Sequence, residues 1–279
     1  EITNSVRPMM DRFIGNEDYE EDMFIQNSRA LELIDNNTAV VVVDVNRPSY
    51  VECPEILNIA KAIVILDHHR QSSEIIENAS LSYIEPYASS ASEMVAEILQ
   101  YIYDGLKLKQ PEADALYGGI LLDTQNFTNG TGVRTFEAAA YLKKNGANVT
   151  RVTRMFRDDM QDFKARADVI KSAEIYEDKY AISVLHAENL DSPTVVGAQA
   201  ANELLNVKDI CASFVLTNYN GKIYVSARSI DELNVQVVME RLGGGGHMNT
   251  AGAQLECSMD EAVEKLKATL DEMTKSGDL

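Results

Sequence analysis

The stretch AIVILDHHR, residues 62–70, runs five apolar residues straight into an acid, two imidazoles and a guanidinium. The chain has four histidines in 279 residues, and two of them, His68 and His69, stand side by side here. A second apolar run, AVVVVDV at 39–45, carries Asp44 near its end, and a later one, GGILLD, closes on Asp123. Two carboxylates and an imidazole converging on one point make a hard-to-borderline ligand set. Such a set suits Mn2+, Mg2+ or Fe2+ better than it suits structural zinc. Asp67 is placed to hold a neighbouring histidine in one tautomer, the usual support for a ligating imidazole. Taken singly, each residue has a plainer use: an Asp at a strand end caps helices, and a His-His pair sits on surfaces or in cores. Asp44, the DHH triplet and Asp123 in that order favour the metal reading.

A second constellation is Gly243–Gly246 followed by His247. Consecutive glycines let the backbone turn sharply and aim several N–H groups at an anion, although such a run also makes a flexible loop. The small residues of MNTAGA that follow suggest a packed loop rather than a linker. Arg228 in SARS could point a guanidinium into the same pocket, with a surface salt bridge as the alternative. Arg134 in TNGTGVRTF is a similar candidate, whereas His186 lacks any such context and reads as structural.

These residues need elements to position them. The runs at 39–45 and 62–69 have the uninterrupted β-branched character of strands buried on both faces of a parallel sheet. PEILNIAK between them supplies a helix, and hence a β-α-β unit. Helices follow over 89–104, with Ser90 and Glu93 at capping-box spacing, and over 111–127, opening on Pro111. A third, VRTFEAAAYLKKNGA, has Gly146 at its C-terminal cap. The segment 150–178 is helical and charged, with no core stripe of its own. Beyond it come a strand (YAISVLHA), a helix, a hairpin turning at Asn220-Gly221, and a final amphipathic helix from about 260. The expected architecture is α/β: a parallel-sheet domain over 1–150, a helical connector over 151–178, and a smaller α+β domain over 179–279.

Composition narrows the chemistry. A net charge of −19 and a pI near 4.6 exclude a general binder of long nucleic acids, which needs a basic face. A phosphate-bearing ligand must then be small and held in a locally positive or metal-loaded pocket. Three scattered cysteines, with no C-x-x-C pair, support neither a disulfide framework nor structural zinc, and fit a reducing cytoplasmic setting. No stretch approaches the ~20 apolar residues of a membrane span. The chain opens on Glu1 rather than Met, so it reads as a fragment whose parent has room for an anchor upstream.

VVVVD, ILDHHR, GGILLDTQNF and GGGGH stand in the order and approximate spacing of the DHH phosphoesterase superfamily with its associated C-terminal domain. YIEPYASSASE, DTQNFTNGTGVRTFEAAAYL and VSARSIDELNVQVVMERLGGGGH further resemble the membrane-associated cyclic-di-AMP phosphodiesterases. The resemblance implies a two-metal, manganese-dependent phosphodiesterase that linearises cyclic-di-AMP to 5′-pApA. It also implies action in the cleft between the two domains, in a cytoplasmic part of a membrane-anchored parent, with a homodimer as the expected assembly. It assigns Asp44, His68 and Asp123 to metal, His69 to the scissile phosphate with Asp67 behind it, and Gly244, Gly245, Gly246, His247 and Arg228 to substrate. The family's first motif, His-x-x-x-Asp-x-Asp, has no match from residue 1 to 38. The chain is therefore expected to begin after that motif and to be impaired alone. Alternatives are a nanoRNase or 3′-phosphoadenosine phosphatase of the same superfamily, or a non-catalytic nucleotide-binding module.

Overall fold

In a computed structural model of the chain the described residues are 6–71, 74–103, 105–157, 159–186, 190–230 and 233–277. They divide into two units, Glu1–Arg157 and Asp158–Leu279.

In the first unit, short helices α1 (Arg7–Met10) and α2 (Asn27–Leu33) precede β1 (Ala39–Val43). A single helical turn, α3 (Ile56–Ile59), leads to β2 (Ala62–Asp67), and β3 (Leu81–Ile84) completes a parallel sheet of order β1-β2-β3. β2 is the central strand and is buried as its apolar run predicts, with Ile63 at 0% and Ile65 at 2% exposure. β1 differs from expectation: Val41 and Val43 are 55% and 48% exposed. Among the described residues β1 is an edge strand, and its one buried residue, Val42, joins the core of Leu57, Ile63, Ile65 and Ile76.

Four helices follow: α4 (Ala91–Ile102), α5 (Gln110–Asp123), α6 (Val133–Lys144) and α7 (Val149–Met155). They share a core of Ala96, Ala113, Tyr117, Ile120, Leu142 and Val152. Their ends follow the sequence signals. Ser90 Oγ accepts the Glu93 N–H at 3.0 Å, while the Glu93 carboxylate accepts from Ser89 Oγ at 2.5 Å. Pro111 lies in the first turn of α5, and Gly146 takes φ 100° just past α6, where a side chain would be strained.

The second unit runs α8 (Met160–Lys171), β4 (Glu174–Tyr176), β5 (Tyr180–Leu185), α9 (Pro193–Leu204), β6 (Ala212–Tyr219) and β7 (Lys222–Ser229). It continues with α10 (Val235–Arg241), β8 (Gly245–His247), β9 (Thr250–Leu255) and α11 (Met259–Ser276). The mixed sheet has order β4-β5-β6-β7-β9-β8, with β5 and β6 parallel and every other pair antiparallel. Period-two alternation gives it two apolar faces. Val169, Leu185, Val196 and Val215 pack under α8 and α9. Phe214, Val225, Val238, Met239 and Leu266 pack with α10 and α11. Asn220 (φ 51°) and Gly221 (φ 76°) make the expected hairpin turn between β6 and β7.

The segment expected as a connector, 151–178, is instead shared between the units. α7 enters the first core through Val152, and α8 enters the second through Val169. Each helix buries only one or two residues, Val152 in α7 and Arg166 with Val169 in α8, too few to write a stripe into the sequence. No helix among the described residues is long and apolar enough to cross a membrane.

α5, which ends on Asp123, is anchored by a buried acid. Asp114 has no exposed surface; it accepts from Arg151 Nε at 2.6 Å and the Asn148 N–H at 2.8 Å, and also pairs with Arg12. Burial alone would push this carboxyl up, but the hydrogen bonds from Arg151, Asn148 and Arg12 outweigh it and hold the pKa below the ordinary value. A carboxyl depressed on folding stabilises fully above its unfolded pKa of about 3.9, and that contribution disappears as pH falls through the folded value. Asp114→Asn is expected to cost about 3–5 kcal/mol at neutral pH, the usual penalty for stranding one side of a buried pair. Urea midpoints measured from pH 7 downward should fall less steeply for the variant; parallel curves would contradict the assignment.

Candidate metal and phosphate site

The site begins with strand pairing. β1 and β2 run parallel with Val43 opposite Leu66, so both chains leave the sheet at the same edge. Asp44 follows at once: its N–H donates to Leu66 O at 3.0 Å, and its φ of 66° is left-handed, a conformation Asp tolerates better than most residues. Its Oδ1 lies 3.4 Å from His68 Nε2. Asp123, the last residue of α5, brings Oδ2 to 3.9 Å from the same nitrogen. The other ring nitrogen, His68 Nδ1, is 3.3 Å from Ala88 O. A carbonyl only accepts, so Nδ1 carries a hydrogen; Nε2 faces the two acids, to which it donates when protonated and beside which it offers a lone pair to a cation when it is not.

Asp44, His68 and Asp123 are thus gathered around His68 Nε2 as the sequence suggests. Donors on one ion with bonds of about 2.1 Å stand roughly 3 Å apart, so Asp44 and Asp123, at 3.4 and 3.9 Å from His68 Nε2, fit a divalent cation with small side-chain movements. His69 also lies within ligand range of Asp44 and His68, but its Nδ1, 4.0 Å from Asp44 Oδ1, is taken by Asp67 at 2.8 Å. The electrostatics agree. Burial, and then the Asp44 charge, push the Asp123 carboxyl up; the hydrogen bond to Asp44 raises His68. Crowded carboxylates of this kind are relieved by a bound cation.

His69 is oriented differently. Its Nδ1 lies 2.8 Å from Asp67 Oδ1, and its backbone N–H donates to the same oxygen at 3.1 Å. Asp67 is fully buried, whereas the His69 side chain is 53% exposed. A residue absent from the sequence reading completes this corner. Asn46, buried, donates from Nδ2 to Asp67 Oδ2 at 2.5 Å and to His69 O at 3.2 Å. Its signal in the sequence was a polar residue two positions past Asp44, where β1 leaves the sheet.

Arg134 joins a different cluster. It pairs with Glu97 through two bonds of 2.7 Å, lies 3.5 Å from Glu85, and donates to Tyr83 Oη at 3.3 Å. Its charge is matched inside the first unit, and the Glu97 hydrogen bonds raise its pKa further.

In the second unit the glycine run is partly a strand, where a loop was expected. Gly245, Gly246 and His247 pair with Gly252, Ala251 and Thr250 of β9. A Cβ at Gly244 would stand 2.1 Å from Gly252 O, and one at Gly246 (φ 148°) 2.5 Å from Ala251 Cα. These two glycines are needed for backbone approach to β9. Gly245 lies between them on the opposite face, and a Cβ there would meet nothing within 4 Å. The register places His247, Thr250 and Arg228 in one row across β8, β9 and β7, on one face of the sheet. Arg228 is half-buried and donates to Asn202 Oδ1 and Ala227 O, both at 2.8 Å. No carboxylate pairs with it among the described residues, and burial pulls its pKa down.

The glycines therefore divide into two kinds. Gly246→Ala should destabilise the second unit by about 1–3 kcal/mol through backbone overlap, and Gly245→Ala by no more than about 0.5 kcal/mol. Thermal unfolding of the two variants checks this; equal losses would mean that Gly245 has a packing role the geometry does not contain.

Residues 6–120 match the DHH family N-terminal domain, and residues 177–276 match the DHHA1 domain. The sequence is 43% identical over 244 residues to cyclic-di-AMP phosphodiesterase PdeA of Listeria monocytogenes, covering 87% of this chain and 37% of that protein. It is 39% identical over 281 residues to cyclic-di-AMP phosphodiesterase GdpP of Bacillus subtilis, covering 98% of this chain and 42% of that protein. The chain spans about two fifths of the length of these curated relatives. An exopolyphosphatase-related protein from Bacteroides fragilis has the same fold, with a TM-score of 0.79 at 20% identity over 95% of this chain and 80% of that one. With a DHH N-terminal domain whose acids and histidines meet at one sheet edge, followed by a DHHA1 domain, this chain belongs to the DHH family.

Proposed function

We propose that the chain is the hydrolytic part of a manganese-dependent phosphodiesterase that opens cyclic-di-AMP to 5′-pApA. The observation that carries this reading is the convergence of Asp44 and Asp123 on His68 Nε2, with His69 beside them. The choice of substrate is supported by the names of the relatives that share 39–43% of the sequence. Asp44, His68 and Asp123 would hold Mn2+. A bound ion of this kind offsets charge on phosphoryl oxygens and acidifies water.

The remaining roles belong to the chain's own residues. With Nδ1–H held by Asp67, His69 turns Nε2 outward, where the ring in its doubly protonated form donates to a non-bridging oxygen or to the leaving 3′-oxygen. The second unit contributes nucleotide binding through Arg228, a half-buried cation among neutral partners, through His247 in the same row, and through the open surface over Gly245, with Gly244 and Gly246 holding that strand close against β9. Arg134, already neutralised by Glu97 and Glu85, adds less to phosphate binding than Arg228. On this reading the membrane anchor of the longer polypeptide lies outside these residues.

The test compares cyclic-di-AMP, pApA and pAp as substrates in Mn2+, for this chain and for a version extended upstream to its relatives' length. The extended protein should convert cyclic-di-AMP fastest and release pApA, with this chain slower. His69→Ala in the extended protein should lose about 10²- to 10⁴-fold in kcat, the usual worth of a positioned proton donor. Faster hydrolysis of pAp would assign the chain to the phosphatases of the family. Tight cyclic-di-AMP binding without turnover in either form would make it a binding module.

A further inference from the structure

We propose that Asn46 is a positioning residue which, through Asp67, fixes the tautomer and ring orientation of His69. Asn46 lies on the exit of β1, and His69 on the exit of β2, 23 residues further on. The Asn46 carboxamide bridges them. Nδ2 donates to Asp67 Oδ2 at 2.5 Å and to His69 O at 3.2 Å, so both amide hydrogens are spent on the second strand. Chemistry fixes the direction of that amide. Turned over, its oxygen would face a carboxylate and a carbonyl, two groups that only accept. As it stands, Oδ1 is buried without a partner, a cost tolerated for keeping both donors in place.

Asp67 has no exposed surface, so each of its oxygens needs a donor from the protein. Oδ1 receives His69 N–H and Nδ1, at 3.1 and 2.8 Å. Oδ2 receives Asn46. Remove the carboxamide and Oδ2 is stranded in a dry site. The carboxylate then gains by rotating toward whatever donor it can reach, and His69 loses its acceptor. With the carboxylate pinned, Nδ1 must carry the hydrogen and Nε2 must be the outward nitrogen. The catalytic consequence rests on the reading of His69 as the phosphate-facing group; the positioning itself does not.

The test is long-range 1H–15N NMR of the imidazoles in the metal-free 279-residue chain, at a pH where the rings are neutral. Wild type should show His69 as a single tautomer with its hydrogen on Nδ1. Asn46→Ala, which leaves Oδ2 without its donor, should show mixed tautomers at His69. His68, held by Ala88 O, should be unchanged and serves as the control for local folding. Asn46→Ser, smaller and still able to donate one hydrogen bond, keeps the comparison available where the alanine variant does not fold, and should lie between the two. In the active, upstream-extended protein the same variants should lower kcat by about 10- to 100-fold with KM little changed. An unaltered His69 tautomer in a folded Asn46→Ala or Asn46→Ser chain overturns the proposal. That outcome is separate from failure of the functional reading, which would appear as unchanged turnover in His69→Ala.

Discussion

The parallel register of β1 and β2 is the constraint on which the site depends. With Val43 opposite Leu66, the strands end level, and the residues after them, Asp44 on one side and Asp67, His68 and His69 on the other, are forced into one corner. A slip of one residue would turn every β2 side chain to the other face and put Val64 or Leu66 where Ile65 now packs. Register is held by the core under β2, and at the edge by the bond from the Asp44 N–H to Leu66 O. Function at this edge is therefore a by-product of packing several residues away.

Charge is the second organising force. The chain carries −19 overall, and its candidate centre adds carboxylates to an already acidic protein. Burial, and then the Asp44 charge, raise the cost of ionising Asp123, and His68 Nε2 lies close to both acids. Elsewhere the fold satisfies buried acids with its own donors, Asp114 with Arg12 and Arg151, Asp67 with Asn46 and His69. Asp44 and Asp123 receive no arginine or lysine among the described ion pairs. A divalent cation supplies what the protein withholds. Arg228 shows the converse in the second unit: a half-buried cation hydrogen-bonded to the neutral groups Asn202 Oδ1 and Ala227 O, with no carboxylate paired to it among the described residues.

The residues that could be read from sequence were those whose structure is local. The apolar run before DHH made β2, Pro111 opened α5 and carried Asp123 to its end, and Asn220-Gly221 turned the hairpin. What escaped was set by partners distant in the chain. A β-branched run reads the same in an edge strand as in a central one, so the exposure of Val41 and Val43 left no trace. Glycine has no strand propensity, and β8 exists because β9 lies against it. Arg134 looked like a phosphate contact because Glu97, 37 residues away, was invisible as its partner. Asn46 drew no reading from the sequence, because the register alone brings Asp67 beside it.

The central claim is that strand register has built a cation site from Asp44, His68 and Asp123, and has reserved His69 for another task. Titration of Mn2+ into the metal-free chain, followed by the loss of the free-ion electron paramagnetic resonance signal, addresses it directly. The account predicts binding by the wild-type chain, its loss in His68→Ala, and its retention in His69→Ala. Equal loss of Mn2+ in the two variants, or binding that survives His68→Ala, would contradict it.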